Sequence, residues 1–322
     1  MSNVLNRPEV VAEPTRRRVL DAIEALGFVR NESARQLRTG RSRTLGLVVL
    51  DVANPFFTDV ARGAEELADE VGSVVMLCNS NEDAARESRH LDLLLEQRAQ
   101  GVLITPVDGA NPRIERLIEH GVPVVLVDSR TARSNRCSVA VNDVLGGRIA
   151  VEHLIERGHR RIAFVGGPFS IPQVADRHTG SQAAANAADG VEIVVVETGS
   201  LQVGEGRRAG RAIAGTPEER RPTAVFCAND LLALGVLQAM TQHELRVPDD
   251  VAIVGYDDID FASAAAVPLS SVRQPREQLG RTGAQLLMEE VSDRETHRHR
   301  QVVFEPELVV RESSARSRGE VT

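Results

Sequence analysis

Lysine and tryptophan are absent from this sequence of 322 residues, and one tyrosine and eight phenylalanines supply all of its large aromatic rings. A binding site in this chain therefore has few rings on which a flat ligand could stack. Long apolar runs are absent too, since none approaches the roughly 20 residues that a transmembrane helix needs. The first residues lack the basic-then-apolar layout of a secretory signal. We therefore expect a cytoplasmic protein without membrane contacts.

Cysteine is scarce, and the three residues present, Cys78, Cys137 and Cys227, form no CxxC pair. This pattern argues against a disulfide framework and a zinc site, and we expect three small buried side chains. The sequence His-Arg-His-Arg at 297–300 is interpreted as a solvated surface turn. We therefore predict no metal site and no cofactor.

Signatures of catalysis are also missing. The sequence contains no GxSxG elbow, no HExxH and no P-loop. The stretch 204–209 matches GxGxxA, but it lacks the preceding strand and following acid that a dinucleotide site requires. An aspartate cluster at 257–260 has no partner ligands at metal-binding spacing. We therefore do not expect an enzyme.

Charge is distributed unevenly along the chain. Residues 1–43 contain nine arginines and five acidic residues, a net charge of +4, whereas the whole chain carries −8. The remaining residues therefore carry −12. A basic end on an acidic body indicates that only the first segment meets a polyanion.

From residue 44 onward, short apolar runs alternate with amphipathic stretches. Predicted strands are 45–50, 73–78, 101–106, 123–128, 161–165, 192–196, 223–227, 251–255 and 302–309. Helices are predicted between them, including 56–71, 82–99, 111–120, 144–157 and 277–290. Short β-branched strands alternating with longer helices predict βαβ crossovers. The fold class is therefore α/β, with two doubly wound parallel-sheet subdomains.

Ligands of doubly wound sheets bind beyond the carboxyl ends of the strands. Polar residues follow several predicted strands at that end, and we expect them to point into one cleft: Asp51, Asn54, Asp128, Asn229, Asp230, Asp257 and Asp258.

The first 43 residues differ from this body. Pro14 and the apolar spacing of Val19, Ile23 and Leu26 predict a helix that ends at Gly27.

Five segments carry a resemblance to the LacI/GalR family of repressors over nearly the full length of the chain. They are SARQLRTGRSRTLGLVV (33–49), NPFF (54–57), HLIERGHRRIAFVGGP (153–168), RPTAVFCANDLLALG (221–235) and VPDDVAIVGYDDIDFA (247–262). The resemblance implies two periplasmic-binding-protein-like subdomains joined by three crossing strands. It assigns 44–142 with 274–300 to the N-terminal subdomain, and 143–273 with 301–322 to the C-terminal one.

The same resemblance implies a partial helical DNA-binding headpiece. Residues 1–30 would be the remnant of a helix-turn-helix, and 31–43 the hinge helix and linker. DNA contacts are expected from Ser2, Asn3, Asn6, Ala34, Arg35, Leu37 and Arg38. Leu37 would act as an apolar wedge that partly unstacks a base step in the minor groove. Since the front of the recognition helix is missing, we expect an open reading frame upstream of Met1, or else a natural short form.

In the family, an effector binds between the two subdomains. The resemblance carries this role to Phe56, Phe57, Asp128, Arg177, Leu201, Asn229 and Asp257. Sugar- and purine-binding relatives often place an aromatic ring near 199–201, whereas this chain has Gly199, Ser200 and Leu201. A small sugar or sugar derivative, including a sugar phosphate, is the expected effector.

The expected partners are operator DNA, bound weakly by this chain, the effector and a second copy of the chain, because a dimer matches a near-palindromic operator. The effector would alter operator affinity by favouring one subdomain arrangement. Induction and co-repression both remain open. The alternative is a sugar-binding sensor, cytoplasmic or extracytoplasmic, without specific DNA binding.

Overall fold

The computed structural model describes residue 4 and residues 10–26, 42–131 and 133–315. The chain divides into two units, one ending at Ser42 and one beginning at Arg43. In the first unit, helix α1 (Glu13–Ala25) has a proline in its first turn and buries none of its residues. This confirms the predicted helix. The DNA-contacting residues predicted at 2, 3, 6, 34, 35, 37 and 38 lie outside the described residues.

The second unit contains two six-stranded sheets. The first sheet comprises β1 (Thr44–Val49), β2 (Val74–Asn79), β3 (Gly101–Ile104), β4 (Val124–Val127), β5 (Cys137–Val141) and β11 (Gln301–Phe304). Its strand order is β11-β5-β4-β3-β1-β2, and every neighbouring pair is parallel. Its helices are α2 (Pro55–Glu70), α3 (Ala84–Glu96), α4 (Pro112–Glu119) and α10 (Arg276–Ser292).

The second sheet comprises β6 (Arg161–Gly166), β7 (Glu192–Glu197), β8 (Ala224–Cys227), β9 (Ala252–Asp257), β10 (Ser270–Arg273) and β12 (Glu307–Val309). Its order is β12-β10-β9-β8-β6-β7, and only β12 runs antiparallel. Its helices are α5 (Asp143–Glu156), α6 (Pro172–Asn186), α7 (Val203–Ala214), α8 (Asp230–Gln242) and α9 (Asp260–Ser263), with a 3-10 turn at Glu218–Arg220. The predicted α/β class with two doubly wound sheets is confirmed.

The chain passes between the sheets three times, after β5, after β10 and after β11. Helix α10 packs on α2 and on strands of the first sheet. The boundary at 301 was wrong, because β11 pairs with β5 and therefore belongs to the first sheet. The strand predicted at 302–309 is two strands, interrupted at Pro306, which has no N–H to continue a ladder.

Glycines allow two helices of the second sheet to cross closely. A Cβ at Gly147 of α5 would lie 1.9 Å from the carbonyl oxygen of Arg177 on α6, and a Cβ at Gly180 of α6 would lie 1.9 Å from that of Val144. Side chains at these positions would force the helices apart. The close approach holds the backbone of Arg177 against α5.

Candidate ligand-binding cleft

A cavity lies between the carboxyl ends of the two sheets. It encloses about 460 Å³, including space open to solvent. All the residues predicted to contact an effector line it: Phe56, Phe57, Asp128, Arg177, Leu201, Asn229 and Asp257. The structure thus brings together side chains that are more than 200 positions apart in the sequence.

The wall from the first sheet begins where β1 meets α2. Asn54 caps α2, because its side-chain oxygen accepts a hydrogen bond from the backbone N–H of Phe56 at 3.0 Å. Phe56 and Phe57 follow in the first helical turn, with their ring centroids 4.9 Å apart in an edge-to-face arrangement. Both rings are buried and form an apolar part of the cavity.

Two aspartates lie at strand ends in unusual backbone conformations. Asp128 follows β4 with φ +52°, and Asp257 ends β9 with φ +102°. Non-glycine residues adopt positive φ at an energetic cost, and such strain often occurs at binding sites. In both cases the strained residue directs a buried carboxyl group into the cavity.

Arg177 extends from α6 and is almost completely buried. Its Nε donates to Oδ1 of Asp143 at 2.8 Å, and its Nη1 donates to the carbonyl oxygen of Ala228 at 2.7 Å. The guanidinium carbon lies 3.7 Å from the centre of the Tyr256 ring. Burial opposes the charge, but nearby Asp143 and other acidic groups raise the pKa of Arg177 overall. The cavity therefore has one permanently charged, rigidly held cation.

Hydrogen bonds connect the two walls directly. The side-chain amide of Asn54 donates to Oδ2 of Asp257 at 3.0 Å. Gln202 donates to the carboxylate of Asp51 across the same cleft. A ligand that enters between these pairs must replace their hydrogen bonds with its own.

Glutamines are the part of the site that sequence reasoning missed. Gln173 donates to Asp128, and Gln274 donates to Oδ1 of Asp257 at 2.7 Å. Gln202 reaches Asp51 from the residue just before α7. Gln173 and Glu82 line the cavity without having been predicted. A glutamine in a loop or at a helix start has no sequence pattern that distinguishes it from a solvated residue.

Carboxyl groups outnumber cations in the cavity. Its ionisable lining residues are Asp51, Glu82, Asp128, Asp257 and Arg177. Burial is the main cause that raises the pKa of Glu82, Asp128 and Asp257, and neighbouring carboxylates add to the effect at Glu82 and Asp128. Carboxylate oxygens accept hydrogen bonds from ligand hydroxyls, and a carboxyl group that holds its proton can donate one as well. This lining suits a ligand with several hydroxyl groups and disfavours a phosphate.

Two of the polar residues expected in the cleft do not line it. Asp230 is fully buried beneath β9, where it accepts hydrogen bonds from Ser271 at 2.7 Å and from the backbone of Ile259 at 2.9 Å. Asp258 pairs with Arg273 at 2.7 Å and with Arg311 at 2.6 Å. The left-handed backbone at Asp257 and Asp258 turns the second side chain away from the cavity. Asn229 lines the cavity as expected; its side-chain oxygen caps α8, and its Nδ2 donates to the carbonyl oxygen of Leu201.

The expectation for 297–300 was wrong for its two histidines. His297 and His299 are half-buried and lie against the buried thiol of Cys137, whereas Arg298 and Arg300 are exposed. The three cysteines are free and buried, as predicted.

In the ranges that the structure covers, none of the helices combines the length and the apolar character that crossing a bilayer demands.

Comparisons with known proteins agree with this architecture. Residues 151–314 match a family model described as a periplasmic binding protein-like domain. The chain is 32% identical over 318 residues to the HTH-type transcriptional repressor PurR of Aliivibrio fischeri, covering 97% of this chain and 93% of that protein.

Solved structures of bound regulators are similar as well. The cellobiose complex of the transcriptional regulator CelR superposes with a TM-score of 0.75 at 33% identity, covering 97% of this chain and 94% of the other. The lac repressor dimer bound to operator and the anti-inducer ONPF superposes with a TM-score of 0.83 at 26% identity, with the same coverage of 97% and 94%.

Proposed function

The chain belongs to the LacI/GalR family of transcriptional regulators, and from this premise we propose that it is a cytoplasmic repressor controlled by a small neutral sugar. The effector occupies the cleft between the two sheets. Arg177 and the strand-end carboxyl groups of Asp128 and Asp257 hold its hydroxyls, with Asn229 as a further polar wall and Phe56, Phe57 and Leu201 as the apolar parts.

The observation that carries this proposal is the pairing of one fixed guanidinium with buried carboxyl groups. Hydrogen bonds to charged groups are shorter and stronger than those between neutral groups, so they suit an uncharged polyol in a dry cleft. The structural neighbour CelR is bound to cellobiose, which supports a sugar as the ligand class.

The route from ligand to DNA rests on the three connections between the sheets. A ligand that binds one relative orientation of the two sheets better than another shifts the population toward that orientation. In a homodimer this movement alters the spacing of the two hinge segments, where Leu37 and the surrounding arginines meet the operator. The lac repressor is a dimer bound to operator, which supports the same arrangement here. The relatives named above are transcriptional repressors, which supports a regulatory role and not an enzymatic one.

The ligand class can be tested by calorimetric titration with ribose, glucose, cellobiose, ribose 5-phosphate and adenine. We expect a neutral sugar to bind, and ribose 5-phosphate and adenine not to bind. Asp257→Asn should weaken sugar binding by roughly 10-fold or more, because a charged hydrogen-bond acceptor is lost. Asp250→Asn is the matched control, since Asp250 pairs with exposed Arg246. Preferential binding of adenine or the sugar phosphate would overturn the assignment.

DNA recognition needs a separate experiment. Selection from random duplexes, followed by anisotropy titration at several salt concentrations, should yield weak binding that falls steeply with salt. Leu37→Ala should weaken it further, whereas Leu26→Ala, a control at an exposed leucine, should not. The sugar should change the affinity by roughly 5-fold to 150-fold. Sugar binding without any DNA binding would instead indicate a sensor that does not read an operator.

A further inference from the structure

A second cluster of ligating side chains lies near the edge of the first sheet that is opposite β2, where β11 pairs with β5. Cys137 is the first residue of β5, and His297 and His299 come just before β11, which pairs in parallel with β5. The Sγ atom of Cys137 lies 3.2 Å from Nε2 of His297 and 3.9 Å from Nδ1 of His299. One ligand atom from each residue lies within 4.8 Å of the other two.

These separations match the spacing of ligands around one tetrahedral metal ion. Zinc binds thiolate sulfur at about 2.3 Å and imidazole nitrogen at about 2.0–2.1 Å, which places sulfur and nitrogen about 3.6 Å apart in a tetrahedral site. The two sulfur–nitrogen distances here fall on either side of that value. Moving the ligand atoms by a few tenths of an ångström would therefore make the two sulfur–nitrogen distances equal.

A buried carboxylate lies beside the three ligands. Glu290 of α10 is 6% exposed, and its Oε2 lies 3.8 Å from Nδ1 of His299. Within the described part of the chain, this oxygen has no hydrogen-bond partner. A buried polar oxygen without a partner is costly, and a bound cation would remove that cost.

We propose that Cys137, His297 and His299 bind one zinc-class divalent ion, and that the buried carboxylate of Glu290, beside His299, offsets part of the ion's charge. Thiolate and imidazole are ligands that zinc binds readily among the common divalent metals. The ion would fasten the loop between α10 and β11 to the start of β5. It would thereby stabilise the segment through which the chain returns to the edge of the first sheet. This site is independent of the effector cleft.

The test uses the untagged full-length chain, stripped with a chelator and titrated with Zn²⁺ against a competing indicator. We expect one ion per chain, and a rise in melting temperature on adding Zn²⁺. With Co²⁺ as the probe, a sulfur-to-metal charge-transfer band should appear. His297→Ala and His299→Ala should each weaken binding by at least 10-fold, and Cys137→Ala should also abolish the charge-transfer band.

Matched controls separate this site from adventitious binding. His243→Ala replaces an exposed histidine elsewhere, and Cys78→Ser replaces a buried thiol of β2. Both should bind Zn²⁺ like the unaltered chain. His297 is only half-buried, so His297→Ala remains informative even if Cys137→Ala fails to fold. Absence of stoichiometric binding, or binding that survives His297→Ala unchanged, would overturn the proposal.

Discussion

The side-chain amide of Asn54 donates a 3.0 Å hydrogen bond to Oδ2 of Asp257, which joins the loop after β1 to the end of β9. The same Asn54 caps α2 through its oxygen, and Asp257 accepts a second hydrogen bond, at 2.7 Å, from Gln274. Gln274 lies where the chain crosses from the second sheet back to the first. Asp257 is therefore bonded to the opposite wall and to one of the connections about which the sheets would move.

Asn54→Asp tests this contact while leaving the helix cap in place. An aspartate still accepts the hydrogen bond from Phe56, but it cannot donate to Asp257 and places a second carboxylate beside it. We expect the cleft to open, with a larger radius of gyration by small-angle scattering. Sugar affinity should fall by roughly 10-fold, because the substituted side chain that lines the cavity can no longer donate a hydrogen bond to a ligand hydroxyl.

Asn142→Asp is the control for this variant, because Asn142 caps α5 in the same way and does not line the cleft. It should leave the scattering curve and the sugar affinity unchanged. If Asn54→Asp does the same, the contact with Asp257 does not hold the cleft closed.

Removing the charge of Arg177 should strongly destabilise the protein. Arg177→Met leaves Asp143 buried without its cation, which typically costs about 3–5 kcal/mol. Adding Asp143→Asn should recover part of that loss, since the unpaired charge is then gone. The free energy of unfolding from urea titration measures both effects.

Arg246→Met provides an exposed comparison, because Arg246 pairs with Asp250 at the surface at 2.8 Å. That change should alter stability far less than the loss of Arg177, because water screens an exposed ion pair. Equal losses for Arg177→Met and Arg246→Met would contradict a structural role for the buried pair.

Apolar periodicity predicted most of the sheet framework but missed β5 and β10. Strands such as β6 are buried runs of apolar residues, which the pattern predicts directly. By contrast, β10 begins with Ser270 and Ser271, which are fully buried and bonded to Ser313 and Asp230. Those partners are far away in the sequence, so no local pattern indicates that the serines belong inside.

The cleft shows the same division between local and long-range information. Strand ends and family resemblance placed Asp128 and Asp257 in it, because Asp128 directly follows β4 and Asp257 is the last residue of β9. Gln202 was missed, since its partner Asp51 is 151 positions away. The strand-end rule also placed Asp258 there, wrongly, because it does not consider the left-handed backbone that turns this side chain toward Arg311.

The pH dependence of stability should reflect Asp128. Burial, together with Asp143, raises the pKa of Asp128 well above its ordinary range. The folded state therefore holds this proton more tightly than the unfolded chain does. Its stabilising contribution is complete below the ordinary aspartate pKa of about 3.9 and is lost as the pH rises through the raised value.

Asp128→Asn removes this titration. We expect the free energy of unfolding of the variant to fall less steeply than that of the unaltered chain as the pH rises above the ordinary aspartate pKa of about 3.9. Asp69→Asn, which changes an exposed carboxylate on α2, should follow the unaltered chain. Parallel curves for Asp128→Asn and the unaltered chain would show that Asp128 does not titrate as inferred.

Two glycine substitutions should have opposite effects on the free energy of unfolding, because only one of these glycines lies where α5 and α6 cross. Gly147→Ala would place a Cβ 1.9 Å from the carbonyl oxygen of Arg177, whereas no atom lies within 4 Å of a Cβ at Gly204 of α7. We expect Gly147→Ala to destabilise by about 1–3 kcal/mol, as overpacking does. Gly204→Ala should be neutral or stabilise by up to about 1 kcal/mol, because alanine favours helix.

The sugar affinity of the same two variants distinguishes positioning from packing alone. Displacing α6 moves the guanidinium of Arg177 away from Asp143 and the cleft, so Gly147→Ala should weaken binding measured under conditions where the variant is fully folded. Gly204→Ala should bind like the unaltered chain. If Gly147→Ala is destabilised but binds the sugar normally, the helix crossing does not set the position of Arg177, and the cation must be held by Asp143 and Ala228 alone.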